Sequence, residues 1–230
     1  MISAVFATLA AAPPAEFRMR VGDHHVYELR TIYLNTVDDE STEWVERVEY
    51  IVKSVSAGRL AKLEVRRLTL QYIVDGQSIP LKPKPTVAIT SEERNPLGQV
   101  RNRTARPLLP YLYARQERIL DFRYPGRAIT KGSEWDVRMP STNNNLIPEA
   151  AWNWTANQVS AESVGVEFSF RELKAENAMT AKGTMLIDPK TGWPLAARTS
   201  VDNACVPGDE LARKVTLRMS LTRKASKLGG

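Results

Sequence analysis

The chain has 230 residues, 43% hydrophobic and 25% charged, which is globular composition and excludes a wholly disordered polymer. Lys and Arg number 32 against 26 Asp and Glu, a formal charge of +6, and no apolar run approaches the ~20 residues that a membrane-spanning helix needs. The single cysteine, Cys205, excludes an intrachain disulfide and a structural zinc site built on thiolates.

Met1 to Ala12 carries no charge and is apolar apart from Ser3 and Thr8, ending in Ala10-Ala11-Ala12 before Pro13-Pro14. Small residues after a short apolar run are how a secretory signal peptide closes, so residues 1–12 read as a leader and the chain as periplasmic or secreted; the alternative is a plain apolar N-terminus on a cytosolic protein. A basic start is missing and Pro13 is a poor first mature residue, so no cleavage site is assigned. Residues 13–230 are expected to form one β-rich domain.

Val21-Gly22-Asp23-His24-His25-Val26-Tyr27 places a glycine at a turn just before an aromatic-bearing strand. Tyr27–Leu34 and Trp44–Val52 follow as strands, with Trp44, Val48, Tyr50 and Val52 on one face and Glu46 interrupting it. Asp38 to Ser41 between them reads as a solvated hairpin tip. In Leu60–Val74 the apolar set changes phase, and a one-residue shift at Arg66-Arg67 predicts a β-bulge and a strongly curved sheet. Pro80, Pro83 and Pro85 break the pattern before a hairpin at Asn95-Pro96-Leu97-Gly98.

Pro107 to Leu120 is the helix candidate: Leu108, Leu112 and Ile119 share a stripe that Leu109, Tyr113 and Leu120 widen, while Arg115 interrupts it. Such a helix would plug the concave side of the sheet, with Leu112 and Tyr113 as candidate ligand contacts. Arginines crowd this middle stretch, from Arg94 through Arg101, Arg103, Arg106, Arg115, Arg118 and Arg123 to Arg127. They are expected on the solvent face, as a surface for an envelope protein or another anionic surface.

Lys131-Gly132-Ser133-Glu134-Trp135 opens a second half in the manner of the first. Trp152 and Trp154, at i and i+2 of a strand, share a face and form a candidate aromatic platform for a flat or apolar ligand. The alternative is that both indoles fill the core. Val164–Glu172, Ala178–Ile187, Leu195–Val201 and Leu211–Thr222 then alternate as strands, the second joined to the third by Asp188-Pro189-Lys190-Thr191-Gly192. The reading is a mainly β fold: a strongly curved antiparallel sheet, half-barrel or open barrel, made of two similar meanders at about 17–106 and 128–223, with one helix near 107–120.

The glycine-led, aromatic-bearing strand starts, the Asp188-x-x-Thr-Gly hairpin and the curved sheet resemble the half-barrel fold of periplasmic lipoprotein-carrier proteins. The same outline resembles bacterial exported proteins of unknown function. The carrier resemblance implies acyl chains held in an apolar concavity beneath a helix.

Little else in the sequence points to chemistry. His24 and His25 are the only histidines, and adjacent strand residues face opposite ways, so they cannot share a metal or a nucleophile. No Gly-x-Ser-x-Gly elbow and no phosphate-binding glycine loop is present. A nucleic-acid partner, a cofactor, a metal and a catalytic site are therefore not expected. The expectation is an exported, non-enzymatic binding protein with a lipid or other apolar molecule in the concave face. The alternative is a cell-envelope structural or interaction module with a filled core.

Overall fold

Polar–apolar alternation governs the backbone. In β1 (His24–Asn35) the buried residues are His25, Tyr27, Leu29, Thr31 and Tyr33, every second position, and their neighbours face outward. The computed structural model describes residues 16–35, 40–103, 115–141, 147–175, 177–205 and 214–229; residues 1–12, expected as a leader, and 38–39 of the expected hairpin tip lie outside them, while Glu40 and Ser41 of that tip belong to a strand. Further strands are β2 (Glu40–Val55), β3 (Ala61–Val74), β4 (Gln77–Ile79), β5 (Ala88–Arg94), β6 (Val100–Arg101) and β7 (Glu134–Met139). The chain then continues through β8 (Ala150–Val159), β9 (Val164–Glu172), β10 (Thr180–Ile187), β11 (Pro194–Cys205) and β12 (Lys214–Lys227).

All of these strands belong to one antiparallel sheet in the order β6-β5-β3-β2-β1-β12-β11-β10-β9-β8-β7, with β4 paired to β3. Consecutive strands account for every contact in that order except two: β3 pairs β5 past the short β4, and β1 pairs β12. The first and last strands, β1 and β12, lie side by side at its centre, His24 opposite Lys227 and Leu34 opposite Thr216. β6 and β7 stand at opposite ends without pairing, so among the described residues the sheet is a curved, open layer and not a closed barrel.

The inner face is filled by large rings: Trp152, Trp154 and Trp193 are each at most 1% exposed. Burial of such a side chain stabilises the fold by roughly 2–3 kcal/mol. A crossing segment, residues 115–129, runs over this face between β6 and β7 and buries Ile119, Phe122, Tyr124 and Ile129. Its only described helix is short, residues 115–117 followed by the 3₁₀ turn Arg118–Leu120, and the rest of the expected helix lies outside the described residues.

The bulge expected at Arg66-Arg67 lies elsewhere. Val45 faces Gln71 and Glu46 faces Thr69, so Leu70 is the extra residue of β3, and Lys53 is the extra residue of β2. The apparent phase change arose because Arg67 and Thr69 point inward with Leu63 and Val65. β11 likewise runs on to Cys205, past the end expected at Val201, with Asp202 and Asn203 bulged out of its ladder with β12. The Asp188–Gly192 turn is as expected, with Gly192 at φ +76, a conformation that other residues adopt only under strain.

Candidate ligand cavity

A cavity of about 190 Å³ lies between the inner face of β1–β3 and the crossing segment. β1 contributes Tyr27, Leu29 and Tyr33, β2 contributes Trp44, Val48 and Tyr50, and Met219 and Leu221 of β12 close the far side. Leu120 and Phe122 of the crossing segment form the opposite wall. The crossing segment is held there by Tyr33, whose hydroxyl donates to Gln116 Oε1 at 2.7 Å. Trp135 Nε1 donates to the Arg123 carbonyl at 2.9 Å, and Tyr124 Oη donates to the Gly192 carbonyl at 2.9 Å.

One wall is charged, and its charges are matched. Arg67 lies 3.2 Å from Glu117 and 3.7 Å from Glu46, so it joins β3 to β2 and to the crossing segment. Burial works against that guanidinium, yet Glu117, Tyr50 and Glu46 outweigh it and raise its pKa. Arg94 donates to Glu92 at 2.7 Å, and Arg103 bridges Glu92 at 3.0 Å to Asp121 at 3.4 Å. Burial raises the Glu92 carboxyl, but Arg94 and Arg103 overcome it and bring the pKa to about 2. The Arg94 guanidinium also sits 5.4 Å from the rings of Phe17 and Trp193 and 5.6 Å from that of Tyr50, a cation enclosed by aromatic faces.

The two histidines face opposite ways. His24 Nε2 is 3.1 Å from Glu49 on the outer face, while His25 is fully buried, stacked 4.5 Å from Trp193, with Nδ1 2.9 Å from Ser226 Oγ. Burial, with Arg223 nearby, lowers the His25 pKa from 6.5 to about 4, so the ring is neutral at pH 7. Among the described residues, no group of three or more His, Cys, Asp or Glu side chains is placed to hold a metal ion. No described helix is long and apolar enough to cross a membrane.

Trp152 and Trp154 do share a face, but it is the packed one: Trp152 lies 4.8 Å from Phe170, and Trp154 lies 5.0 Å from Phe122 and 4.8 Å from Phe168. Neither lines the cavity. Leu112 and Tyr113 lie outside the described residues. Arg94, Arg115, Arg118 and Arg123, expected at the surface, are buried. The sequence reading also missed Glu46 and Arg67. Each breaks an apolar stripe at an inward position, and opposite charges at matching breaks in successive strands were the available signal.

No family model matches the chain, and no curated protein matches it. Among solved structures, a chain from a study of lipid–protein interactions in lipovitellin is similar, with a TM-score of 0.56 and 11% identity over 93% of this chain and 26% of that one. The present chain therefore spans about a quarter of that protein. A Bacteroides fragilis protein described as exported and of YmcC-like fold aligns over 94% of this chain and 100% of its own, at a TM-score of 0.33 and 8% identity. The lipovitellin likeness places the chain among curved antiparallel sheets of this architecture and says nothing by itself of activity.

Proposed function

We propose that the chain is an exported, non-enzymatic binding protein that takes an apolar molecule, a lipid or part of one, into the cavity beneath the crossing segment. The observation that supports this is a mostly apolar space left open between the inner face of the sheet and the crossing segment. At about 190 Å³ it exceeds the ~150 Å³ of an engineered apolar cavity that binds benzene, and it is smaller than the ~300 Å³ at which drug-sized sites begin. It accommodates a ring or a short acyl segment, and the remainder of a larger ligand would emerge through the opening. Every charged side chain on its wall is already paired, so selectivity rests on shape and apolar surface. Lipovitellin, of similar fold, is a protein studied for its lipid interactions.

Native mass spectrometry of protein isolated from its own host tests the reading. Wild type is expected to carry a noncovalent apolar adduct. Val48→Phe, which places a ring in the cavity from a residue 1% exposed, is expected to lose it at a stability cost of about 1–3 kcal/mol. A second reading, an envelope interaction module without a ligand, draws on the solid packing of the other half around Trp135, Trp152 and Trp154. A bare wild-type mass would favour it.

A further inference from the structure

The outer face of the sheet carries a pattern of its own. Arg30 of β1, Ser220 of β12, Arg198 of β11 and Thr184 of β10 stand in one row across four adjacent strands. In the next row stand Ile32, Arg218, Ser200 and Lys182. Cation alternates with hydroxyl and the rows are offset by one strand, so Lys182, Arg198 and Arg218 form a triangle with sides of about 7–10 Å.

Arg30 is engaged by Glu28 and Glu43, both at 3.2 Å. Among the described residues no carboxylate pairs with Lys182, Arg198 or Arg218, all of which are exposed. The nearest acids on this face stand at its border: Glu167, held by Asn157 at 3.0 Å, and Asp202 in the β11 bulge. The rows enclose a shallow depression of about 340 Å³. Leu186, two positions beyond Thr184 on the same face, is 42% exposed.

Like charges set side by side on a sheet destabilise it until a counter-charge arrives. Hydroxyls between them add donors for phosphate oxygens. We propose that this face docks the protein on a bilayer bearing anionic lipid headgroups, with Lys182, Arg198 and Arg218 as the contact. The apolar flank at Leu186 and Ile32 suits a lipid surface. The absence of any aromatic side chain from the two rows argues against stacked nucleic-acid bases. The patch lies on the face opposite the cavity, so it is testable whether or not the cavity is filled.

The test is co-sedimentation of the full chain with phosphatidylcholine vesicles, neutral or containing one third phosphatidylglycerol, at rising salt. Wild type is expected to bind only the anionic vesicles and to be released between about 0.05 and 0.5 M salt as the charges are screened. With each cation near the surface contributing about a factor of five, Lys182→Thr/Arg198→Thr/Arg218→Thr should weaken binding roughly 100-fold, about 2.7 kcal/mol. Arg47→Thr/Lys62→Thr/Arg66→Thr, with the same net charge but altered on the outer face of β2 and β3, should change it less than about threefold. Far-ultraviolet circular dichroism confirms that both variants fold. Absent wild-type binding, equal losses in the two variants, or retention on a heparin column without vesicle binding would each overturn the proposal.

Discussion

Removing the charge of Glu172 should loosen the crossing segment from the sheet. Glu172 ends β9 with a fully buried side chain, and it accepts from Arg115 Nε at 2.9 Å, from Arg118 at 2.7 Å and from the Met179 amide at 3.0 Å. A further Arg115 nitrogen closes the pair. Burial lowers the Arg118 pKa and Glu172 is the chief opposing influence, so this guanidinium depends on that carboxylate. Glu172→Gln preserves shape but removes the carboxylate that two nearly buried guanidinium groups share, and breaking such a pair costs about 3–5 kcal/mol. Against a total stability of roughly 5–15 kcal/mol and a urea slope of about 3 kcal/mol/M, the midpoint should fall by about 1–1.7 M. Arg115→Met/Arg118→Met/Glu172→Leu, which removes all three charges together, should recover most of the loss. A Glu172→Gln penalty below about 1 kcal/mol in urea unfolding would refute the assignment of this cluster as a structural clamp.

Three further outcomes are expected. Because folded His25 resists protonation until about pH 4 while the unfolded chain binds the proton below 6.5, stability is complete above pH 6.5 and falls by about 3 kcal/mol as pH drops to 4. Thermal unfolding of wild type and His25→Gln across this range checks it, since only wild type should show that slope. Glu92 acts at lower pH: its stabilisation is present above 4.5 and is lost, by about 3 kcal/mol, as pH falls towards 2. Glu92→Gln should be less stable at neutral pH yet flatter in that window. Gly192→Ala should cost about 3 kcal/mol or more, because a Cβ there would lie 2.7 Å from both the Glu16 carbonyl and Tyr124 Oη at φ +76. Gly132→Ala, at φ +83 with open space, should cost only the backbone term of about 1–2 kcal/mol. Equal penalties at the two glycines, measured in urea, would contradict the crowding at Gly192.

Strands were legible wherever one face is buried and the other wet. Val164–Glu172 was read to the residue, and the cores of β1, β2, β3 and β10 to β12 were found with their hairpin order. The interior charges were not legible. Arg118 and Glu172 are separated by 54 positions and Tyr33 and Gln116 by 83, so no local pattern announces that Arg115 breaks an apolar stripe in order to meet a buried carboxylate. Charge at an inward position was read as an interruption or as solvent exposure, and this misplaced both the β3 bulge and the middle arginines. An apolar concavity was expected, but its lining was hidden for the same reason. Its walls come from the first strands, the crossing segment, the Trp193 turn and β12, and no one stretch of sequence outlines it.

The neighbour relation of β1 and β12 bears on how the molecule comes into being. Each meander can zip up from adjacent hairpins, but the seam that joins them waits for residues near 227 to meet residues near 24. Contacts of such sequence separation slow folding. During synthesis the inward rings of β1 therefore have no β12 to lie beside until residues 214–227 have emerged, which leaves that strand's edge open to aggregation or to a holding partner until then.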